Sequence, residues 1–199
     1  MISLASHAIA GRRNEDAILA APGLVVIVDG AGVPLGGCTH GVAWYANQLA
    51  ALTMTALIDS PDVDLREALA QGISLVAGRH SATCDLTSPN TPCAAVGVLR
   101  VGVDLVEALA LSDVSIAVDA EGDVHVTTDL SIEELNGTEQ GTTAGLLIGS
   151  PEHGAALDEL VKRQTATRNQ PGGWWVAAAD PAAAKHAVVN NYPRGTCVG

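Results

Sequence analysis

The chain has no phenylalanine, and aromatic residues make up only 3% of its 199 positions. Apolar residues still reach 48%. A chain of that length can bury roughly 70% of its unfolded surface in one domain, so residues 1–199 are read as a single domain. Positive charge is scarce. Ten basic residues, only Lys162 and Lys185 among them lysine, face 22 acidic ones for a net charge of −12. Nucleic acid and anionic membrane both repel such a surface, so neither is expected as a partner. No apolar run approaches the ~18 residues of a membrane-spanning helix. The start, Met1-Ile2-Ser3-Leu4, lacks the basic stretch that opens a signal peptide, so a cytoplasmic location is expected. Cys38, Cys84, Cys93 and Cys197 form no Cys-x-x-Cys pair. Their wide gaps read as reduced, mostly buried thiols rather than as a zinc knuckle or redox dithiol. Neither Gly-x-Gly-x-x-Gly after a strand nor a P-loop is present, which excludes those phosphate cradles.

What is present is an ordered alternation of short apolar runs and helical stripes. Residues 2–9 alternate weakly, as a strand would. Residues 16–20 form a short apolar run, closed by a Pro22-Gly23 turn. Leu24-Val25-Val26-Ile27-Val28 is β-branched and bounded by turn signals, the pattern of a strand buried on both faces. Helices are expected over 39–58 and 63–80, the second with Asp62 as N-cap and Leu65, Leu69, Ile73 and Val76 on its inner stripe. Cys93–Val101, Leu105–Leu111, Ser115–Val118 and Val124–Thr127 read as an antiparallel meander. A helix over 153–168 with Leu157, Leu160 and Val161 inward follows, then a strand at Trp174–Ala177 and a helix opened by Asp180-Pro181. Strands clustered between helices predict an α+β fold.

Two acidic spots carry the chemistry. Asn14-Glu15-Asp16 places adjacent carboxylates where a strand begins, and Asp29-Gly30 places one where the interior strand ends. An unpaired charge there is costly to desolvate, and a divalent cation with hard oxygen ligands is one compensation. A solvated turn is the other reading of the same residues. Aspartyl-nucleophile phosphatases of the haloacid-dehalogenase type need a second aspartate two residues before Asp29. Ile27 stands there, which excludes them.

Arg13-Asn14-Glu15-Asp16-Ala17 and Val26-Ile27-Val28-Asp29-Gly30-Ala31-Gly32 resemble the first two motifs of the metal-dependent protein phosphatase family (PPM, or PP2C). Leu109-Ala110-Leu111-Ser112-Asp113-Val114-Ser115 resembles its Gly-Asp-Ser motif. Gly41–Tyr45, Asn169–Ala177 and Asp180–Ala184 resemble segments of bacterial members. The resemblance implies an αββα sandwich of two antiparallel sheets flanked by helices. It implies two Mn2+ or Mg2+ ions and a metal-bound hydroxide that hydrolyses phosphoserine, phosphothreonine or a small phosphomonoester. Carried over by position, Asp29 bridges both metals, Glu15 and the Gly30 carbonyl hold the second, Asp16 orients water, and Asp113 serves a third metal. Arg12 or Arg13 clamps phosphate, for which the guanidinium fork is suited. The alternative is a catalytically impaired PPM-like domain that binds a phosphoprotein or regulates. Oligomeric state is not legible.

Ala31 stands where many eukaryotic members have a histidine. His40, in the next loop, reads as a solvated helix-start residue, with proton donation to a leaving group as the alternative. His80 and Cys84-Asp85 read as residues of a helix end and its loop, with metal binding the lesser alternative. The resemblance also implies further C-terminal strands carrying an Asp-Gly and a final Asp, both ligands of the first metal. The sequence given ends at Gly199, so an incomplete domain with a weak first metal site is expected. Codons for Thr196-Cys197-Val198, read one base earlier, can encode Asp-Val-Arg, close to the order expected there. A one-base slip near codon 195 would account for the ending.

Overall fold

A computed structural model describes residues 2–8, 10–11, 13–32, 38–120, 122–137 and 145–194. Arg12, Cys197 and the ending ascribed to a frame slip lie outside the described residues. A five-stranded antiparallel sheet carries the fold, in the order β1-β2-β3-β4-β7. Its strands are β1 (Ala17–Ala21), β2 (Leu24–Ala31), β3 (Cys93–Val101), β4 (Leu105–Leu111) and β7 (Val188–Pro193). A two-stranded ribbon, β5 (Ser115–Ala120) with β6 (Asp123–Thr128), forms a second sheet. The result is the expected α+β arrangement of two antiparallel sheets with flanking helices.

One face of the large sheet is covered by α1 (Val42–Asp59) and α2 (Leu65–His80). Val26 and Val28 of β2, Val96 and Val98 of β3, and Leu109 and Leu111 of β4 point into this core and are fully buried. Tyr45, Leu49 and Leu57 of α1 meet them with the predicted stripe Leu65, Leu69, Ile73 and Val76 of α2, each no more than 1% exposed. The helices approach closely at Gly72, where an added Cβ would stand 2.4 Å from Thr53 Oγ1. The cap of α2 is Asp64 rather than Asp62. Its carboxylate accepts from the amides of Arg66 (2.9 Å) and Glu67 (3.3 Å), which the helix itself leaves unpaired.

The other face meets the ribbon. Leu99, Val106, Ala108 and Tyr192 pack against Ile116, Val118 and Ala120. Gly97 permits the approach, since a Cβ there would lie 3.1 Å from Val114 Cγ2. The expected four-strand meander is thus divided between two sheets. The break is at Ser112, whose φ of 66° turns the chain out of β4.

β2 is not buried on both faces. Val26 and Val28 are enclosed, but Ile27 is 36% exposed and Asp29 is exposed with it. The ribbon packs on β3, β4 and β7 instead of over β2. Residues 2–8 form no strand. Trp174–Ala177 makes only bridges, Ala94 to Ala177 and Arg168 to Trp174. α3 (Ser131–Asn136) and β7 lack clear sequence signals, and paired asparagines make β7 a poor strand by propensity. α4 (Pro151–Thr167) forms as expected but buries nothing, with Leu157 41% and Val161 53% exposed. The Asp180-Pro181 opening gives a 3-10 helix, Pro181–His186, capped by Asp180 at 2.9 Å from the Ala182 amide. Among the described residues no helix is long and apolar enough to cross a membrane.

Candidate functional site

The β1–β2 register pairs Ala17 with Val28, so the next positions outward are Asp16 and Asp29. The hairpin therefore sets two carboxylates opposite each other at its open end. Desolvation holds the Asp29 carboxyl above the ordinary carboxylate range. The charge of Asp16, a hydrogen bond with it, and the charge of Asp113 all push the same way. Three aspartates from three parts of the chain thus converge electrostatically on one point.

A cleft of about 290 Å3 opens there, lined by His7, Arg13, Glu15, Asp16, Asp29 and Gly30 among others. Glu15 and Arg13 are exposed along it. His7 carries no sequence signal, and only the fold brings it in. The loop before β1 is held by its own polar groups. Asn14 Nδ2 donates to Ser6 Oγ (2.7 Å), Ser6 Oγ donates to Asp16 Oδ2 (3.3 Å), and the Asp16 amide donates to Asn14 Oδ1 (3.2 Å). Gly30 is packed so tightly that a Cβ would meet the Glu15 carbonyl oxygen at 2.4 Å and Val42 Cγ1 at 2.7 Å. The glycine lets the chain just after Asp29 lie directly against the Glu15 backbone and the start of α1.

Asp113 follows the kink at Ser112. The Ser112 amide donates to Asp129 Oδ2 (3.1 Å), and its hydroxyl donates to Asp113 Oδ1 (3.1 Å). Asp129 also accepts from the Ser131 amide (3.0 Å) and is only 8% exposed. It fixes the turn that presents Asp113, a positioning role no sequence motif announced.

The donors in the cleft are hard oxygens whose charges oppose one another at Asp29, a set that suits Mn2+ or Mg2+. They are not closed into a tight cage. Among the described residues, the group of three or more His, Cys, Asp or Glu with ligand atoms all within 4.8 Å of one another lies elsewhere. It is Cys38, His40, His80 and Cys84. Cys38 and Cys84 are half-buried rather than buried, and His40 is half-buried rather than solvated, while His80 ends α2 and Cys84 follows in its loop as expected, with the lesser alternative of metal binding favoured by this grouping. Trp174 is buried, its Nε1 donating to the Gln164 carbonyl (2.8 Å), and Trp175 stacks on His186 at 3.5 Å between centroids. They make a core-and-rim pair.

No protein-family model and no curated protein sequence matches the chain. Solved structures do. The serine/threonine phosphatase PstP/Ppp of Mycobacterium tuberculosis superposes with a TM-score of 0.56 at 12% identity, over 93% of this chain and 69% of that one. The PPM Ser-Thr phosphatase MsPP of Mycobacterium smegmatis gives 0.51 at 17% identity, over 94% and 68%. Stp1 of Staphylococcus aureus gives 0.52 at 14%, over 92% and 66%. The chain therefore has the fold of bacterial PPM serine/threonine phosphatases.

Proposed function

We propose that this chain is a Mn2+- or Mg2+-dependent phosphatase of the PPM type. Its substrates would be phosphoserine and phosphothreonine in proteins, or small phosphomonoesters. The pairing of Asp16 with Asp29 in the cleft of a PPM-like fold, with the charge of Asp113 acting on Asp29, carries the reading. A PstP structure of the same fold, in complex with two manganese ions, supports the choice of metal.

Asp29, with Glu15 and the Gly30 carbonyl, would hold the cations, and Asp113 a further one. When bound, such ions lower the pKa of water and neutralise the phosphoryl oxygens. Asp16 orients the attacking water and takes its proton on the carboxylate. Arg13, on the wall of the cleft, steadies the phosphate with its planar fork, and Arg12 is its sequence neighbour in that role. A chain of net charge −12 needs this local positive charge, because its overall field repels a phosphorylated substrate. The reading includes a single domain over residues 1–199 and a cytoplasmic place, in keeping with free thiols at Cys38, Cys84 and Cys93.

A second reading is a PPM-like module that binds phosphoproteins without turning them over. The open spacing of the carboxylates favours it, since no three of them close within 4.8 Å among the described residues. Hydrolysis of p-nitrophenyl phosphate with added Mn2+ separates the two. Activity in the wild type, lost in a folded Asp29→Asn variant, supports the enzyme. A folded wild type inert with Mn2+ and Mg2+, yet retaining a phosphoserine peptide, establishes the module.

A further inference from the structure

We infer that Cys38, His40, His80 and Cys84 form a tetrahedral zinc site that clamps the segment before α1 to the end of α2. Their ligand atoms stand near the corners of a coordination tetrahedron, all within 4.8 Å of one another. Cys38 Sγ lies 3.3 Å from Cys84 Sγ, 3.5 Å from His80 Nδ1 and 3.8 Å from His40 Nδ1, and Cys84 Sγ lies 3.4 Å from His40 Nδ1. Bonds of ~2.3 Å to sulfur and ~2.0 Å to nitrogen at tetrahedral angles place sulfur and nitrogen roughly 3.5 Å apart, as the sulfur–nitrogen spacings are, and two sulfurs roughly 3.8 Å apart, so the sulfurs would open by about 0.5 Å on binding. Two thiolates and two imidazoles are the donor set of structural zinc, and neither hard cation expected in the carboxylate cleft prefers them.

Local structure makes the cluster by folding two short pairs onto each other. Cys38-Thr39-His40 precedes α1, and His40 stacks on Trp44 in the first turn at 4.3 Å between centroids. His80 closes α2, and the Thr83 and Cys84 amides donate back to the His80 carbonyl at 3.0 and 2.9 Å, which turns Cys84 toward it. His80 is fully buried. Its Nε2 has no hydrogen-bond partner, and the rings of Trp44 and Tyr45 lie near it at 5.3 and 6.4 Å between centroids. A buried imidazole with so few polar contacts is costly unless its other nitrogen bonds something strong. The two thiols are pushed in opposite directions. Desolvation opposes ionisation of Cys84. Hydrogen bonds from Cys38, the Thr39 amide, Thr83 and His40 nevertheless bring it down to about 5, while desolvation and the neighbouring sulfur raise Cys38. Zinc binding would release the proton that Cys38 retains.

The clamp also bears on the cleft. It anchors the start of α1, where Val42 packs on Gly30 and Gly32. Gly30, next to Asp29, therefore rests against a helix end that the zinc would hold in place.

The test uses the full chain carrying Asp29→Asn, so that the carboxylate cleft does not contribute a second ion, freshly reduced and loaded with Zn2+ or Co2+. One zinc per chain by mass spectrometry is expected. With Co2+, tetrahedral d–d absorption should appear together with thiolate-to-cobalt charge transfer. Cys38→Ser and Cys84→Ser, at half-buried positions, should each weaken zinc affinity by more than the 10–100-fold typical of an outer-shell change and reduce the charge-transfer band. His40→Ala serves beside the buried His80→Ala, which risks misfolding. Cobalt binding without a charge-transfer band overturns the site. So does unchanged zinc content in the double cysteine variant. Closure of a Cys38–Cys84 disulfide in the presence of one equivalent of zinc would assign the sulfurs to a redox pair instead.

Discussion

At the cleft, carboxylates repel one another across an open mouth, and Asp29 is pushed toward its protonated form. At the end of the helix layer, two sulfurs and two nitrogens already stand within 3.8 Å of their neighbours, on atoms packed among aromatic rings. The first region has charge and little closure, and the second has closure and little charge. A loose oxygen set suits ions that exchange and share water with a substrate. A tight sulfur–nitrogen set suits an ion that stays and holds the chain. On the two proposals, donor chemistry would keep a working metal and a structural metal apart within one fold.

The largest expected effect separates the two by activity. Asp29→Asn should cut Mn2+-dependent phosphatase turnover by at least about 100-fold, comparable to losing a principal charge-stabilising group. It should leave zinc content and cobalt charge transfer unchanged. If zinc is lost as well, the two centres are one coupled system and the contrast fails.

The next effect is on stability. Zinc present at a thousand times its Kd contributes about 4 kcal/mol, which for a chain of this size is roughly 10 °C in Tm by differential scanning calorimetry. Mn2+ at the same concentration, bound more weakly through water and therefore much closer to its Kd, should raise Tm by a few degrees at most. Cys84→Ser should abolish the zinc increment and leave the manganese one. Equal increments from both metals would erase the distinction.

Gly30→Ala tests the contact between the regions. The new methyl meets the Glu15 backbone and Val42, neither of which can yield freely, so a loss of about 1–3 kcal/mol is expected together with reduced activity. The cleft also has a pH signature in the metal-free protein. Asp29 has a folded pKa raised above its unfolded value, so it contributes stability below the ordinary carboxylate range that is lost as pH rises through the folded pKa. Urea titrations without metal should show the stability of the wild type relative to Asp29→Asn falling as pH climbs past about 4. A difference between the two that stays level or grows through the same window would contradict it.

Much of this contrast follows a rule about sequence distance. Glu15, Asp16 and Asp29 could be read because they border a hairpin, where neighbours in sequence are neighbours in space. The stripe of α2 and the strands β2 to β6 were legible for the same reason, since period and turn residues are local. The zinc ligands were not. Cys38-x-His40 and His80-x3-Cys84 are unremarkable pairs until α1 and α2 pack and close a gap of some forty positions. Likewise Asp129 acts on Ser112 only once the ribbon folds back. β2 was misjudged because a β-branched run does not reveal whether a second sheet covers it, and here its outer face carries Asp29 in the open.

The smallest expected effect concerns Ser112, the residue standing where the resembled motif has glycine. Its φ of 66° costs a non-glycine residue about 1–2 kcal/mol. Ser112→Gly removes that strain. It also removes the hydroxyl's bond to Asp113, worth about 1 kcal/mol, and loosens the unfolded chain by about 0.5–1 kcal/mol. These contributions nearly cancel, so Tm should move by less than roughly 2 °C. Ser112→Ala keeps the strain and loses the hydrogen bond, so it should be less stable by about 1 kcal/mol. The expected order in a denaturant series is serine close to glycine, with alanine below both. In both variants Asp113 loses its partner, so the Mn2+ concentration for half-maximal activity should shift in the same direction while thiolate–cobalt absorption does not move. Alanine matching serine in stability would show that the hydroxyl contributes nothing to the turn, and would leave the Asp129 carboxylate as what holds Asp113 at the cleft.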